Sequence, residues 1–132
     1  RFINVGVAEQ SMIGIAAGLA LKGCQPFAYT IATFSLYRPF EMIRDDLCYQ
    51  NLPVTVVGMG AGVIYSTLGG THHTQEDIAI ASALPNMHGV LFSMNHCKAS
   101  CKNVPRVAAE LVLSGAALPP NDSRWSAAHA GQ

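Results

Sequence analysis

The chain has 132 residues, of which 50% are hydrophobic and only 12% charged, with eight basic residues against eight acidic ones. That length suits a single domain, and a neutral charge balance gives no electrostatic reason to expect nucleic acid or an anionic membrane as partner. No apolar run reaches the roughly 20 residues of a bilayer span, since the longest candidate, Met12 to Leu21, is short and interrupted by Gly14 and Gly18.

Phe2 to Val5 is expected to form a short strand rather than a signal peptide, which makes the cytoplasm the expected setting. Ala8 to Lys22 has a helical pattern, with Met12, Ile15, Ala16 and Leu19 on one stripe and Gly23 as its stop. A second strand covers Gln25 to Thr30. A second helix is expected from about Ser35 to Tyr49, with Pro39 in its first turn, where no N–H is required. Tyr37, Phe40, Ile43, Arg44 and Leu47 would then share a mostly apolar face.

Val54 to Val57 is a continuous apolar run between Pro53 and Gly58, as in a parallel-sheet strand buried on both faces. Gly58 to Gly70 is a glycine-rich loop. Thr74, with Asp77 three residues on, has the form of a capping box for a helix ending near Leu84-Pro85. Val90 to Ser93 follows as a strand and Val104 to Leu113 as a helix, with Pro105 near its start and Gly115 beyond its end. The alternation predicts an α/β fold built on a parallel sheet. Residues 1–95 form the expected domain core, 96–115 hold its C-terminal helix, and 116–132 form an irregular tail.

Cys24 and Cys48 stand among apolar residues and read as reduced core thiols. The cluster His96-Cys97-Lys98-Ala99-Ser100-Cys101 has no second ligand pair of zinc-site spacing, so no metal is assigned to this chain. Gly58-x-Gly60 begins like a dinucleotide loop. Val63 holds the third glycine position and no acidic strand end follows, so that fingerprint fails.

Three segments carry chemistry: Val5-Gly6-Val7-Ala8-Glu9-Gln10, Ala32-Thr33-Phe34-Ser35-Leu36-Tyr37-Arg38-Pro39-Phe40-Glu41, and Gly69-Gly70-Thr71-His72-His73-Thr74-Gln75-Glu76-Asp77. Each opens a predicted helix just past a predicted strand. In an open α/β sheet such positions gather at the carboxyl edge, where ligands bind. A carboxylate, an aromatic cluster and a histidine pair would then meet in one crevice.

These segments resemble the pyrimidine-binding domain of transketolases. The resemblance is carried by Gly6-Val7-Ala8-Glu9-Gln10 with Met12 to Ala20, by Thr33-Phe34 and Phe40 to Asp45, and by Thr71-His72, Glu76 to Ala79 and Leu84 to Met87. It covers roughly residues 1–95. The glutamate motif is shared with 1-deoxyxylulose-phosphate synthases and the β subunits of 2-oxo-acid dehydrogenases. The resemblance implies a three-layer thiamine-diphosphate-binding fold, here lacking its first helix and strand. It implies that Glu9 bonds the pyrimidine N1′ of thiamine diphosphate and favours the imino tautomer, whose 4′-nitrogen removes the C2 proton. The cofactor performs the hard step and the protein supplies position and a proton-sharing partner. A carboxyl among Val5, Val7, Met12 and Ile13 would be desolvated, which suits that role, although a first-turn glutamate is also what the helix dipole favours.

By the same resemblance Tyr37, with Phe34 and Phe40 beside it, offers a stacking face to the pyrimidine ring. Their spacing is equally that of a core stripe. His72 matches a histidine that contacts the sugar near its reacting carbons, and His73 has no counterpart. Two departures stand out. Gly58 to Gly62 lies where typical members carry a phosphate-contacting histidine, and Leu68 lies where they carry an aspartate that reads a sugar hydroxyl.

The family's diphosphate-binding motif, Gly-Asp-Gly followed downstream by Asn, does not occur in the sequence. The expected protein is therefore part of a transketolase-like transferase of two-carbon ketol units. It would be inactive alone and pair with a diphosphate-binding domain or subunit that supplies the Mg²⁺ ligands. The high apolar content agrees with an obligate interface and a homo-oligomer such as a dimer. A sugar or sugar phosphate is the expected substrate. The alternative is a degenerate module that only associates with related chains, favoured by the lost polar positions.

Overall fold

Small side chains decide how the first helix packs. The computed structural model describes residues 1–93 and 109–115, and in it α1 spans Glu9–Leu21. Its buried face is Ile13, Ala16, Ala17 and Ala20, whereas Ile15 is 42% exposed. The buried stripe is thus turned from the expected one of Met12, Ile15, Ala16 and Leu19. In a helix apolar on every side, hydropathy does not choose the face, and the alanines allow the closest approach. Gly23 ends α1 at φ +85. Its N–H bonds the carbonyl of Ala20 at 2.9 Å and the Cys24 N–H bonds that of Leu19 at 3.1 Å, a Schellman closure that needs the left-handed glycine. This turn leaves Cys24 exposed, against the expected core position, while Cys48 is buried.

Phe2 to Val5 forms no strand, and Phe2 is 87% exposed. A lone extended segment has no ladder partner to hold it. The first strand is β1, Phe27–Ile31. It leads directly into α2, Ala32–Leu36. A single turn, α3, Phe40–Met42, follows and runs on as a π-helix, Ile43–Tyr49. The helix expected over Ser35 to Tyr49 is therefore two pieces. Pro39, expected inside the first turn, lies at their junction because it has no N–H to return to Ser35 and its ring crowds the preceding turn.

β2 spans Thr55–Ala61, longer than the expected Val54 to Val57, because the glycines continue the ladder. Gly60 takes φ +73 at the register shift between Met59 and Ala61. A 3-10 segment, Ser66–Thr71, then α4, Asp77–Ser82, then β3, Met87–Ser93, complete the run. β4 is Ala109–Gly115. A helix had been expected over Val104 to Leu113, of which residues 104–108 lie outside the described residues. The strand wins from 109 on because β4 lies between β2 and β3 and is laddered on both edges, a tertiary context that overrides the helix propensity of Ala and Glu.

The sheet has the order β1-β2-β4-β3 and every pairing is parallel. The α/β parallel-sheet class is the one expected. Ala28 and Val56 turn into the same core as Ile13, Leu36, Ile43 and Leu47. On the opposite side of β1, Phe27 and Tyr29 are exposed, and the Tyr29 hydroxyl reaches Met59 Sδ at 3.0 Å. The His96-Cys97-Cys101 cluster and the tail 116–132 lie outside the described residues.

Candidate functional site

Glu9 is the first residue of α1 and is only 6% exposed. Its carboxylate does not rest in a purely apolar crevice. Oε2 accepts a hydrogen bond from Arg38 Nη1 at 2.8 Å, and the arginine side chain is itself 45% exposed. The turn that Pro39 forces between α2 and α3 presents this arginine. Its guanidinium carbon lies 4.5 Å from the centroid of the Phe34 ring, a cation–π distance.

Phe34 in turn meets His72 edge-on, with ring centroids 5.3 Å apart. Tyr65 meets the same imidazole edge-on at 5.9 Å. His72 Nδ1 lies 2.9 Å from Thr71 Oγ1, which leaves Nε2 as the nitrogen not engaged by that contact. Glu9, Arg38, Phe34, His72 and Tyr65 therefore form one contiguous chain of contacts. It runs from the start of α1 through the turn after α2 and α2 itself to the loop after β2.

That loop is held shut from within. Thr74, 1% exposed, accepts a hydrogen bond from Gly62 N–H through Oγ1 at 2.7 Å, and its own N–H bonds the Gly62 carbonyl at 2.9 Å. Thr74 is thus a loop clasp and not the expected helix cap, since α4 starts later, at Asp77. His73 Nε2 is buried with no hydrogen-bond partner among the described residues.

The other two aromatic candidates are placed differently. Tyr37 packs against the core and its hydroxyl donates to Glu76 Oε2 at 2.9 Å while accepting from Glu76 N–H at 3.3 Å. Burial first, and the Glu76 hydrogen bond next, push its phenol well above the ordinary tyrosine value, so Tyr37 is a neutral hydroxyl. Phe40 packs against the core cluster. The structure thus joins Phe34, Glu9 and His72, and packs Tyr37 and Phe40 on the core outside that chain of contacts.

Arg38 and Tyr65 carried no assigned role in the sequence. The signal for Arg38 was a cation in an otherwise apolar turn immediately before proline. Tyr65 had no such signal, because its neighbourhood depends on the Gly62–Thr74 clasp.

Asp77 is 5% exposed. Burial raises its pKa, partly offset by hydrogen bonds from Thr74 and the Ile78 N–H. The folded state then holds the proton more strongly than the unfolded chain, so stability falls as pH rises past the ordinary aspartate range. Asp77→Asn is expected to melt higher than wild type at pH 7, with the gap closing as pH is lowered beneath that range. Melting curves at a series of pH values check this, and a constant gap would count against it.

Among the described residues no three or more His, Cys, Asp or Glu side chains gather as a metal site, and no helix is long and apolar enough to cross a membrane. The sequence matches the family described as "Transketolase, pyrimidine binding domain" over residues 1–97. It is 41% identical over 91 residues to one of the subunits of an apulose-4-phosphate transketolase of Phocaeicola vulgatus, covering 69% of this chain and 29% of that protein. It is 47% identical over 87 residues to a putative transketolase C-terminal section of Methanocaldococcus jannaschii, covering 66% and 28%. The fold superposes with TM-score 0.67 and 34% identity on a split-gene transketolase solved as an inactive beta4 tetramer, covering 90% of this chain and 39% of that one. The chain spans less than a third of the length of these two curated relatives.

Proposed function

The chain belongs to the transketolase pyrimidine-binding domain family, and from that premise we propose that it forms the pyrimidine-side wall of a thiamine-diphosphate enzyme that transfers two-carbon ketol units. The observation that supports this most is Glu9: a buried carboxylate at a helix start, tied through Arg38 to an aromatic face and a histidine. The donor set suits an aminopyrimidine. A carboxylate bonds a ring nitrogen, and Phe34 supplies a flat apolar partner. When bound, the cofactor supplies the carbanion chemistry at its C2 carbon.

In this reading Glu9 Oε1 would hold the ring nitrogen and share its proton, while Arg38 holds Oε2 and fixes the carboxylate orientation. Phe34 would offer a face to the ring, with Tyr37 and Phe40 packed on the core cluster. His72 faces the substrate oxygen beside the reacting carbons and passes a proton there. The pyrimidine-binding core is residues 1–95. The diphosphate and Mg²⁺ are held by a second domain or subunit, and the protein works as a cytoplasmic homo-oligomer of at least two such pairs.

The test is to mix the chain with its diphosphate-binding partner and assay ketol transfer. Activity is expected only in the mixture. Transfer by neither chain nor mixture would favour a non-catalytic association module. Two further outcomes follow. Calorimetry on the chain alone is expected to show no sub-micromolar, Mg²⁺-dependent binding of thiamine diphosphate. Exposed Phe2, Val7, Phe27 and Tyr29 are expected to lose solvent on assembly, in an interface of about 2,000 Å² or more. A monodisperse monomer in the presence of the partner would contradict that.

A further inference from the structure

The two halves of the candidate site come from segments far apart in sequence. Phe34 and Arg38 belong to α2 and the turn after it, and His72 belongs to the loop before α4. One face of α2 meets that loop. Thr33 and Tyr37 are an i, i+4 pair, with Phe34 beside them. The Thr33 hydroxyl reaches the His73 carbonyl at 3.5 Å, and Phe34 meets the His72 ring edge-on at 5.3 Å. The Tyr37 hydroxyl donates to Glu76 Oε2 at 2.9 Å and accepts from Glu76 N–H at 3.3 Å.

These ties are unequal. A contact of 3.5 Å is at the outer limit of a hydrogen bond and holds little. An edge-on ring pair is attractive but tolerates sliding. The Tyr37–Glu76 pair is different, because one hydroxyl grips both the side chain and the backbone of the same residue. Burial, with the Glu76 bond itself, keeps the phenol proton in place for that grip. Glu76 is the residue just before α4, so the pair fixes where the loop enters the helix. The Gly62–Thr74 clasp ties the same loop to β2, but it says nothing about the distance to α2. Glu76 is itself exposed, so its carboxylate contributes no core packing, and the bond to Tyr37 is what its side chain does here.

We propose that Glu76 is a positioning residue for His72: through its two-point bond to Tyr37 it holds the histidine loop in register with the segment that carries Phe34 and Arg38. The proposal rests on the ketol-transfer reading, and its test separates the two. C2-proton exchange depends on Glu9 and the cofactor, whereas complete transfer also needs His72 in place. In the assembled holoenzyme, kcat/KM for ketol transfer from hydroxypyruvate to D-erythrose 4-phosphate is measured alongside C2-proton exchange of the bound cofactor. Glu76→Ala removes the shorter of the two bonds and is expected to lower transfer by about tenfold, within the cost of misplacing a reacting group by about 1 Å, with C2 exchange retained. Glu76→Gln keeps an oxygen for the Tyr37 hydroxyl and is expected to stay within about threefold of wild type, the difference between a charge-assisted bond and a neutral one. Tyr37→Phe removes both bonds without changing the loop, which keeps the test open should Glu76→Ala fail to fold. It is expected to lower transfer at least as much, and the double variant Tyr37→Phe with Glu76→Ala no further, as for two residues acting through one contact. Unchanged transfer in Glu76→Ala, equal losses of transfer and C2 exchange, a Glu76→Gln loss as large as that of Glu76→Ala, or additive losses in the double variant would each overturn the proposal. Absence of C2 exchange or of transfer in wild type overturns the underlying ketol-transfer reading, and the proposal with it.

Discussion

Replacing Glu9 with Gln is expected to slow C2-proton exchange of the bound cofactor by about 10²–10⁴-fold, the range of a lost acid–base partner, with a much smaller loss of cofactor binding. Glutamine keeps the shape and one hydrogen bond to the ring nitrogen, but it cannot share a proton. Binding depends chiefly on the diphosphate and its metal, which another domain holds in the proposed assembly. The Arg38 contact sharpens the forecast. Its guanidinium lies 2.8 Å from Oε2 and its side chain is 45% exposed, so water solvates it when the carboxylate is removed. The variant should then fold, and the loss should appear in chemistry and not in stability. If Glu9 served only as a first-turn anion, its loss would cost about 0.3–1 kcal/mol of stability and little rate. The measurement is exchange of the C2 proton in wild type and variant at equal cofactor occupancy. Equal rates would remove Glu9 from the proposed mechanism.

The parts of this molecule that could be read from sequence are those governed by local rules. Gly23 stops α1 because only the left-handed region closes the helix there, and Val54 and Val56 are fully buried because a short apolar run between Pro53 and Gly58 has few other fates. The misreadings occur where two local rules disagree or where a distant partner decides. Ile15 is more hydrophobic than Ala17, yet Ala17 is inside, since steric closeness against β1 and the π-helix chose the face. Pro39 is compatible with a first turn and with a break, and the aromatic and charged side chains around it could be satisfied either way. Ala109 to Leu113 carries helix-forming Ala, Glu and Leu, and becomes a strand only because β2 and β3 both present open ladders.

The candidate site divides along the same line. Glu9, Phe34 and His72 were named from motifs at helix starts, and such motifs travel with their residues. Arg38 and Tyr65 act through contacts made across the fold: one reaches back to α1 and the other over Gly60 to His72. A sequence shows neither reach. What it did show was their setting, a lone cation before proline and a tyrosine in a loop without cations, and each marks the spot where an unexpected contact was formed.

Leu36→Ala and Leu47→Ala are expected to cost similar stability and to differ in function. Both leucines are completely buried, so each truncation removes transfer free energy and leaves a cavity, about 2–5 kcal/mol. Against a total of about 5–15 kcal/mol for a domain, either change is large. Leu47 lies in the π-helix, Ile43–Tyr49, beyond the contact chain that joins Glu9 to His72. Leu36 is the last residue of α2, between Phe34 and the turn that presents Arg38. A cavity there lets that turn shift, and with it the ring over which the arginine lies and the arginine that orients Glu9. Misplacement of reacting groups by about 1 Å is worth up to about 10²-fold in rate. At a temperature where both variants remain folded in the assembly, Leu36→Ala should therefore lose C2-proton exchange per folded molecule, and Leu47→Ala should keep it. Denaturant midpoints set the stability side and exchange at matched occupancy sets the functional side. Parallel losses in both variants would mean that the turn at Pro39 answers to the stability of the whole core and not to the side chain directly beneath it.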